Sequence, residues 1–313
     1  MKSAPDSLKR LVTSADKGSV FRMCLEQFYL DGKVRNLSPK TLTAYGERLG
    51  DFHRFLQAAR TPFDQVSRDT VRRYILDMQG RVSDHTINGR IRALHRFFGF
   101  LEQEGLWDGR ANPLNGIKCI KTDKVIKPVL SQEQIADMLH RITRHTFYGY
   151  RNFCMVLLFW DTLIRLSELT NLRLDDLDLK VGTIRVMGKG RKERVLPLGA
   201  QAMRHLHGYL NRFRQALPGQ HVFCTRHGLR LRGRYVQQIL QRIGKRVGFH
   251  VSPHLLRHSG ASHLALTGIP AFMLQRLLGH TTLSTTNIYI HLIDDQRLRD
   301  VFRQFSPGDG LRL

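Results

Sequence analysis

The chain has 313 residues, 42% of them hydrophobic, enough for two domains of ordinary size with a core in each. Its 50 Lys and Arg outweigh 26 Asp and Glu, and a formal charge of +24 is the electrostatic footprint of a polyanion binder. A disulfide-built secreted module is excluded, because the four cysteines (Cys24, Cys119, Cys154 and Cys224) are scattered and no pair has metal-ligand spacing. The longest apolar run, around Phe153 to Trp160, is too short to cross a bilayer and reads as a core helix. With no signal peptide in view, a cytoplasmic, nucleoid-associated protein with reduced thiols and no membrane partner is expected.

In chain order, residues 1–18 are polar and mixed, and a loose terminus is expected there. Residues 19–111 read as a helical domain. Ser38 followed by Pro39 is a helix start, and Leu42, Tyr45, Leu49, Phe52 and Phe55 repeat behind it at helical spacing. A second helix is expected over 70–78. A third is expected over 84–104, its stripe made by Ile87, Ile91, Leu94, Phe97, Phe98 and Leu101. Residues 112–128 hold two prolines, four lysines and no sustained period, and so read as a basic linker suited to lie along phosphates.

Residues 129–313 read as a second domain, opening at a capping-box pattern from Ser131 to Gln134. Helices dominate it, apart from two short β-type runs, Thr183 to Met187 and Arg194 to Leu198, around the turn GKGRK. Ser252 and Pro253 start another helix. The fold class expected is therefore mainly α with a small antiparallel sheet. A short tail helix is expected at about 295–305, with Leu298, Val301, Phe302 and Phe305 on its apolar face.

Breaking and remaking a phosphodiester without metal or ATP needs a nucleophile, cations for the non-bridging oxygens and a proton for the leaving oxygen. Arg suits the clamp, since its planar fork matches phosphate oxygens, and Lys or His suits the proton transfers. A tyrosine nucleophile would conserve the bond energy in a phosphotyrosyl ester. No nucleotide-binding GxxxxGK[ST] loop is present, no acidic cluster offers a Mg²⁺ site, and His254, His258 and His263 do not share one clean face for zinc. Neither cofactor nor metal is expected. The second domain does hold, in order, Arg165 in LIRLSEL, Lys189 in the hairpin turn, His254 and Arg257 in HLLRH, His280 in LLGH and Tyr289 in TTNIYIH.

On these motifs the chain resembles the tyrosine recombinases, the phage-integrase-type enzymes, with a layout similar to the bacterial Xer recombinases. Each motif alone is weak. Their conjunction in fixed order, with Tyr289 nine residues after His280, is specific. The resemblance implies that a helical DNA-clamping domain and a catalytic domain close on the duplex as a C-shaped clamp. It also implies roles: Arg165 and Arg257 hold the scissile phosphate, Lys189 protonates the 5′-oxygen with Lys192 as its rival, and His254 is a general acid/base. His280 adds a hydrogen bond, and Tyr289 becomes linked to the 3′-phosphate. Glu168, on the face of Arg165, would orient that arginine or a histidine. The side chains expected on DNA are Lys40, Arg48, Arg90, Lys118, Lys121, Lys124, Arg191 and Lys192, with base readout by helices that include the stretch from Arg226 to Arg246.

The implied partners are a double-stranded DNA recombination site and either further copies of the chain, in a tetrameric synapse, or a paired second recombinase. The tail helix would dock on a neighbouring protomer; the plainer alternative folds it back on its own domain. One position departs from the family pattern: Leu163 stands where Gly is usual, two residues before Arg165. Two other readings are a type IB-like topoisomerase, which needs no partner copy, and a DNA-binding factor that does not cut. Each candidate residue also has a structural alternative, a surface arginine for Arg165 or a core aromatic for Tyr289.

Overall fold

In the computed structural model, which describes residues 17–107, 111–122, 128–188 and 193–279, helices start at Pro39, Asp84, Gln132 and Pro253 as the sequence leads one to expect. The first unit holds α1 (Lys17–Val34), α2 (Pro39–Ala58), α3 (Arg68–Met78) and α4 (Asp84–Gln103). Ser38 Oγ accepts the Thr41 N–H at 3.1 Å and Pro39 occupies the first turn of α2, so an orphan donor is satisfied where Pro needs none. Helix α3 starts two residues ahead of the expected Thr70, because Ser67 and Thr70 bond each other's backbone N–H in a reciprocal cap. The six stripe residues of α4 are each at most 1% exposed. They pack with Phe21 and Phe28 of α1, Phe52 of α2 and Trp107, largely ring edge to ring face.

The stretch read as a linker begins inside this unit. Leu114 and Ile117 are buried in the same core. Asn88 holds Ile120 from both sides: its amide donates to the Ile120 carbonyl at 2.9 Å, and its Oδ1 accepts the Ile120 N–H at 2.7 Å. A segment without period hides such packing, since its apolar contacts are single residues rather than a stripe.

A division between Val125 and Ile126 separates this unit from the second. There, α5 (Gln132–His140) is capped by the Ser131–Gln134 box. Helix α6 (Phe147–Asp161) carries the apolar run and is buried on most sides, hence its weak amphipathic signal. After α7 (Leu166–Asn171) come β1 (Leu177–Asp178), β2 (Thr183–Met187) and β3 (Glu193–Pro197), an antiparallel sheet in that order. Strand β3 begins one residue before the expected Arg194, because Glu193 pairs with Met187; the Leu198 N–H turns away to the Gly182 carbonyl at 2.8 Å. Helices α8 (Ala200–Tyr209), α9 (Gly233–Val247), α10 (Pro253–Leu266) and α11 (Ala271–Leu278) complete the described part.

Helix α10 crosses α6 at Gly260. A Cβ there would lie 2.3 Å from the Trp160 carbonyl oxygen and 2.8 Å from Leu163 Cδ2, so only glycine permits this approach. All four cysteines are free thiols. Among the described residues, no helix is long and apolar enough to cross a membrane.

Candidate active site

Arg165 is the N-cap of α7, and Glu168 is the third residue of that helix. The carboxylate accepts the Arg165 backbone N–H at 2.8 Å and its Nη1 at 3.1 Å. The Glu168 side chain is only 1% exposed, so its charge needs partners, and it has a second one. Arg194, on the inward face of β3, grips it with both guanidinium nitrogens at 2.7 and 2.8 Å. Burial pushes the Glu168 carboxyl up, yet the hydrogen bonds and charge of Arg194, with those from Arg165, hold it below the usual carboxylate range.

The three arginines converge on one helix end. The Arg194 Nε donates to the Leu277 carbonyl at 3.2 Å, Arg257 Nη2 to the Leu278 carbonyl at 2.6 Å and Arg165 Nη2 to the Gly279 carbonyl at 2.9 Å. These are carbonyls that the last turn of α11 leaves without an intrahelical donor, at the negative end of its dipole. Gly279 closes the helix at φ +57. A Cβ there would lie 3.0 Å from Arg194 Nη1 and 3.1 Å from Arg165 Nη1, which gives the glycine of LLGH its reason.

Arg257, 7% exposed, also donates from Nη1 to the carbonyl of Leu163. That carbonyl is aimed by an unusual backbone: Leu163 has φ +56 and is fully buried against Ala261, Ala265, Leu274 and Leu278. Leucine here occupies the left-handed conformation that glycine favours, so the departure from the family pattern keeps the geometry and adds apolar packing. His254 lies one turn before Arg257 on α10 and is exposed.

Arg165, Glu168 and Arg257 are thus brought together, with His254 on the same helix as Arg257. Lys189, Arg191, Lys192, His280, Tyr289, Lys124 and the tail helix lie outside the described residues; β2, β3 and α11 end directly beside the first four of these. Of the expected DNA contacts, Lys40, Arg48, Lys118 and Lys121 are exposed. Arg90 is engaged internally, 2.7 Å from Asp51 and on the Met78 sulfur. On α9, Arg234, Arg242, Lys245 and Arg246 are exposed opposite the buried Val236, Ile239, Leu240 and Ile243. Arg194 is a site residue that the sequence reading passes over. Its signal is the strand alternation, which puts it on the buried face with Leu196 and so demands a carboxylate partner. Among the described residues, no three His, Cys, Asp or Glu side chains converge as a metal site.

The chain belongs to the phage integrase family, the tyrosine recombinases, enzymes that cleave and rejoin DNA: the family's catalytic model matches residues 128–296, and its N-terminal SAM-like domain matches residues 25–105. It is similar to the tyrosine recombinase XerC of Thermodesulfovibrio yellowstonii, 32% identical over 298 residues, covering 90% of this chain and 97% of the relative. It is likewise similar to the tyrosine recombinase XerD of Halalkalibacterium halodurans, 33% identical over 298 residues with the same coverage of each. The fold matches that of the XerH site-specific recombinase in a post-cleavage complex on a palindromic difH substrate, with a TM-score of 0.73 at 23% identity, covering 97% of this chain and 88% of that one.

Proposed function

We propose that the protein is a site-specific recombinase that exchanges strands between two DNA sites through a 3′-phosphotyrosyl intermediate on Tyr289. Arg165 and Arg257 bind the non-bridging oxygens of the scissile phosphate and stabilise the charge that builds on them in the transition state. Tyr289 attacks phosphorus, Lys189 gives the departing 5′-oxygen its proton, and His254 and His280 assist by proton transfer and hydrogen bonding. The bond energy stays in the phosphotyrosyl ester, so religation needs neither nucleotide nor metal. The single observation that carries this reading is the convergence of Arg165 and Arg257 on the carbonyls of Leu278 and Gly279, one residue before His280.

The partner is double-stranded DNA, and the working form is an oligomer on it. The XerH relative is seen in a post-cleavage complex on its DNA substrate, which supports a DNA partner. The tail at about 295–305 docks on a neighbouring protomer, and the protein acts in the cytoplasm. Removing residues beyond Asp295 is expected to leave binding to a single site intact and to abolish pairing of two sites; unchanged strand exchange would refute the docking.

Covalent trapping on randomly nicked fragments of the protein's own replicon tests the function. Tyr289-dependent adducts at one sequence are expected. Adducts scattered over many sequences would indicate a topoisomerase instead, and binding without adducts would indicate a factor that does not cut.

A further inference from the structure

We propose that Arg194 is a positioning residue for catalysis: a clamp that fixes Glu168, and through it Arg165, to the end of α11 and to the paired strands β2 and β3. The inference deepens the recombinase reading and rests on it.

Arg194 donates from three nitrogens, two to Glu168 and one to the Leu277 carbonyl. Its side chain is 11% exposed, against 30% for Arg165. With Nε, Nη1 and Nη2 all donating to Glu168 and Leu277, Arg194 acts through Arg165 rather than on DNA. Three segments meet at this one side chain. Arg194 pairs with Val186 across β2 and β3, the strands on either side of the segment that includes Lys189. It shares Glu168 with Arg165. It bonds the last turn of α11, directly ahead of Gly279 and His280. A displacement of any one segment would therefore be felt by the others, and a misplacement of about 1 Å in a catalytic group can slow a reaction roughly 100-fold.

Lysine cannot replace this clamp, because a point-charge ammonium does not make two parallel bonds to the carboxylate while a third donor reaches Leu277. Among the described residues, the charged groups facing Glu168 are Arg165 from its own helix and Arg194 from β3, with Arg257 of α10 on the adjoining carbonyl. Without Arg194, the buried Glu168 carboxyl loses its principal charge partner and takes up a proton at higher pH, weakening its hold on Arg165.

The test compares wild type, Arg194→Lys and Arg194→Gln on a nicked duplex carrying the sequence recovered by trapping. Single-turnover adduct formation is followed between pH 5 and 8 alongside a mobility-shift measurement of binding. Both variants are expected to bind within about twofold of wild type and to form adducts roughly 100-fold more slowly, with the acid limb of the rate profile displaced to higher pH. In a Glu168→Gln background the same substitutions are expected to add little further loss. Unchanged adduct rates, or equal losses of rate and binding with an unmoved pH profile, would overturn the proposal.

A readout independent of turnover is the acid limb of thermal stability in the DNA-free protein. Arg194→Lys is expected to move that limb to higher pH, and the displacement is expected to vanish when Glu168 is Gln. Absence of the displacement overturns the clamp, whereas a wild type that forms no adduct at all overturns the recombinase reading instead.

Discussion

Leu163 puts strain and packing in direct competition. Holding a leucine at φ +56 costs roughly 1–2 kcal/mol relative to glycine, but emptying the fully buried site it fills costs about 3–5 kcal/mol. Packing wins, so Leu163→Gly is expected to destabilise the second unit by roughly 1–4 kcal/mol in denaturant unfolding, despite restoring the residue usual in the family. A gain in stability would mean that strain dominates. Gly279 behaves oppositely, since it has no side chain to lose. An added Cβ meets the Arg165 and Arg194 guanidiniums at 3.1 and 3.0 Å, and both are pinned on Glu168 and cannot withdraw freely. Gly279→Ala is therefore expected to slow adduct formation at least tenfold, on the order of the loss a sub-ångström displacement causes, while DNA binding changes little. Equal losses in both measurements would contradict this.

At the scale of elements, the amphipathic helices and their caps were legible because their signals are local. Ser38 with Pro39, the Ser131–Gln134 box, Ser252 with Pro253 and the stripe of α4 all stand where the pattern puts them. Strand β1 was not legible, since two residues carry no period. Nor was the burial of Leu114 and Ile117, where contact comes from distant chain rather than from a stripe. In the site, Arg165, Glu168, His254 and Arg257 could be named from motifs, and the contact between Glu168 and Arg165 from their spacing. The mechanism of that contact differs from a simple shared face: Glu168 caps the helix that Arg165 opens. Arg194 escaped because its partner is 26 residues away, and no local pattern joins a strand to the first turn of an earlier helix. The folded pKa of Glu168 lies below its unfolded value, so the stability it contributes is complete above the ordinary carboxylate range and is lost as pH falls through that lower value. Glu168→Gln is expected to flatten this acid dependence in a melting-temperature series, and an unaltered acid limb would assign it to other carboxylates.

At the scale of the whole molecule, the charge of +24 sets how DNA is held. If Lys and Arg neutralise about six to ten phosphates, affinity should fall by about 10³–10⁵ between 50 and 200 mM salt. Lys118→Ala and Lys121→Ala, both exposed, are each expected to reduce the salt slope by about 1 without changing sequence preference. Substituting Arg90, whose guanidinium lies on Asp51, should leave the slope unchanged and lower stability instead. A slope indifferent to the lysines would remove them from the interface. The measurement that tests the central claim most directly is the identity of the side chain that DNA becomes joined to. Trapped adducts, denatured and digested with protease and nuclease, are read by mass spectrometry. A nucleotide 3′-phosphate on the peptide containing Tyr289, absent from Tyr289→Phe, is the predicted result. A nucleotide on any other side chain, or undiminished adducts from Tyr289→Phe, would contradict it.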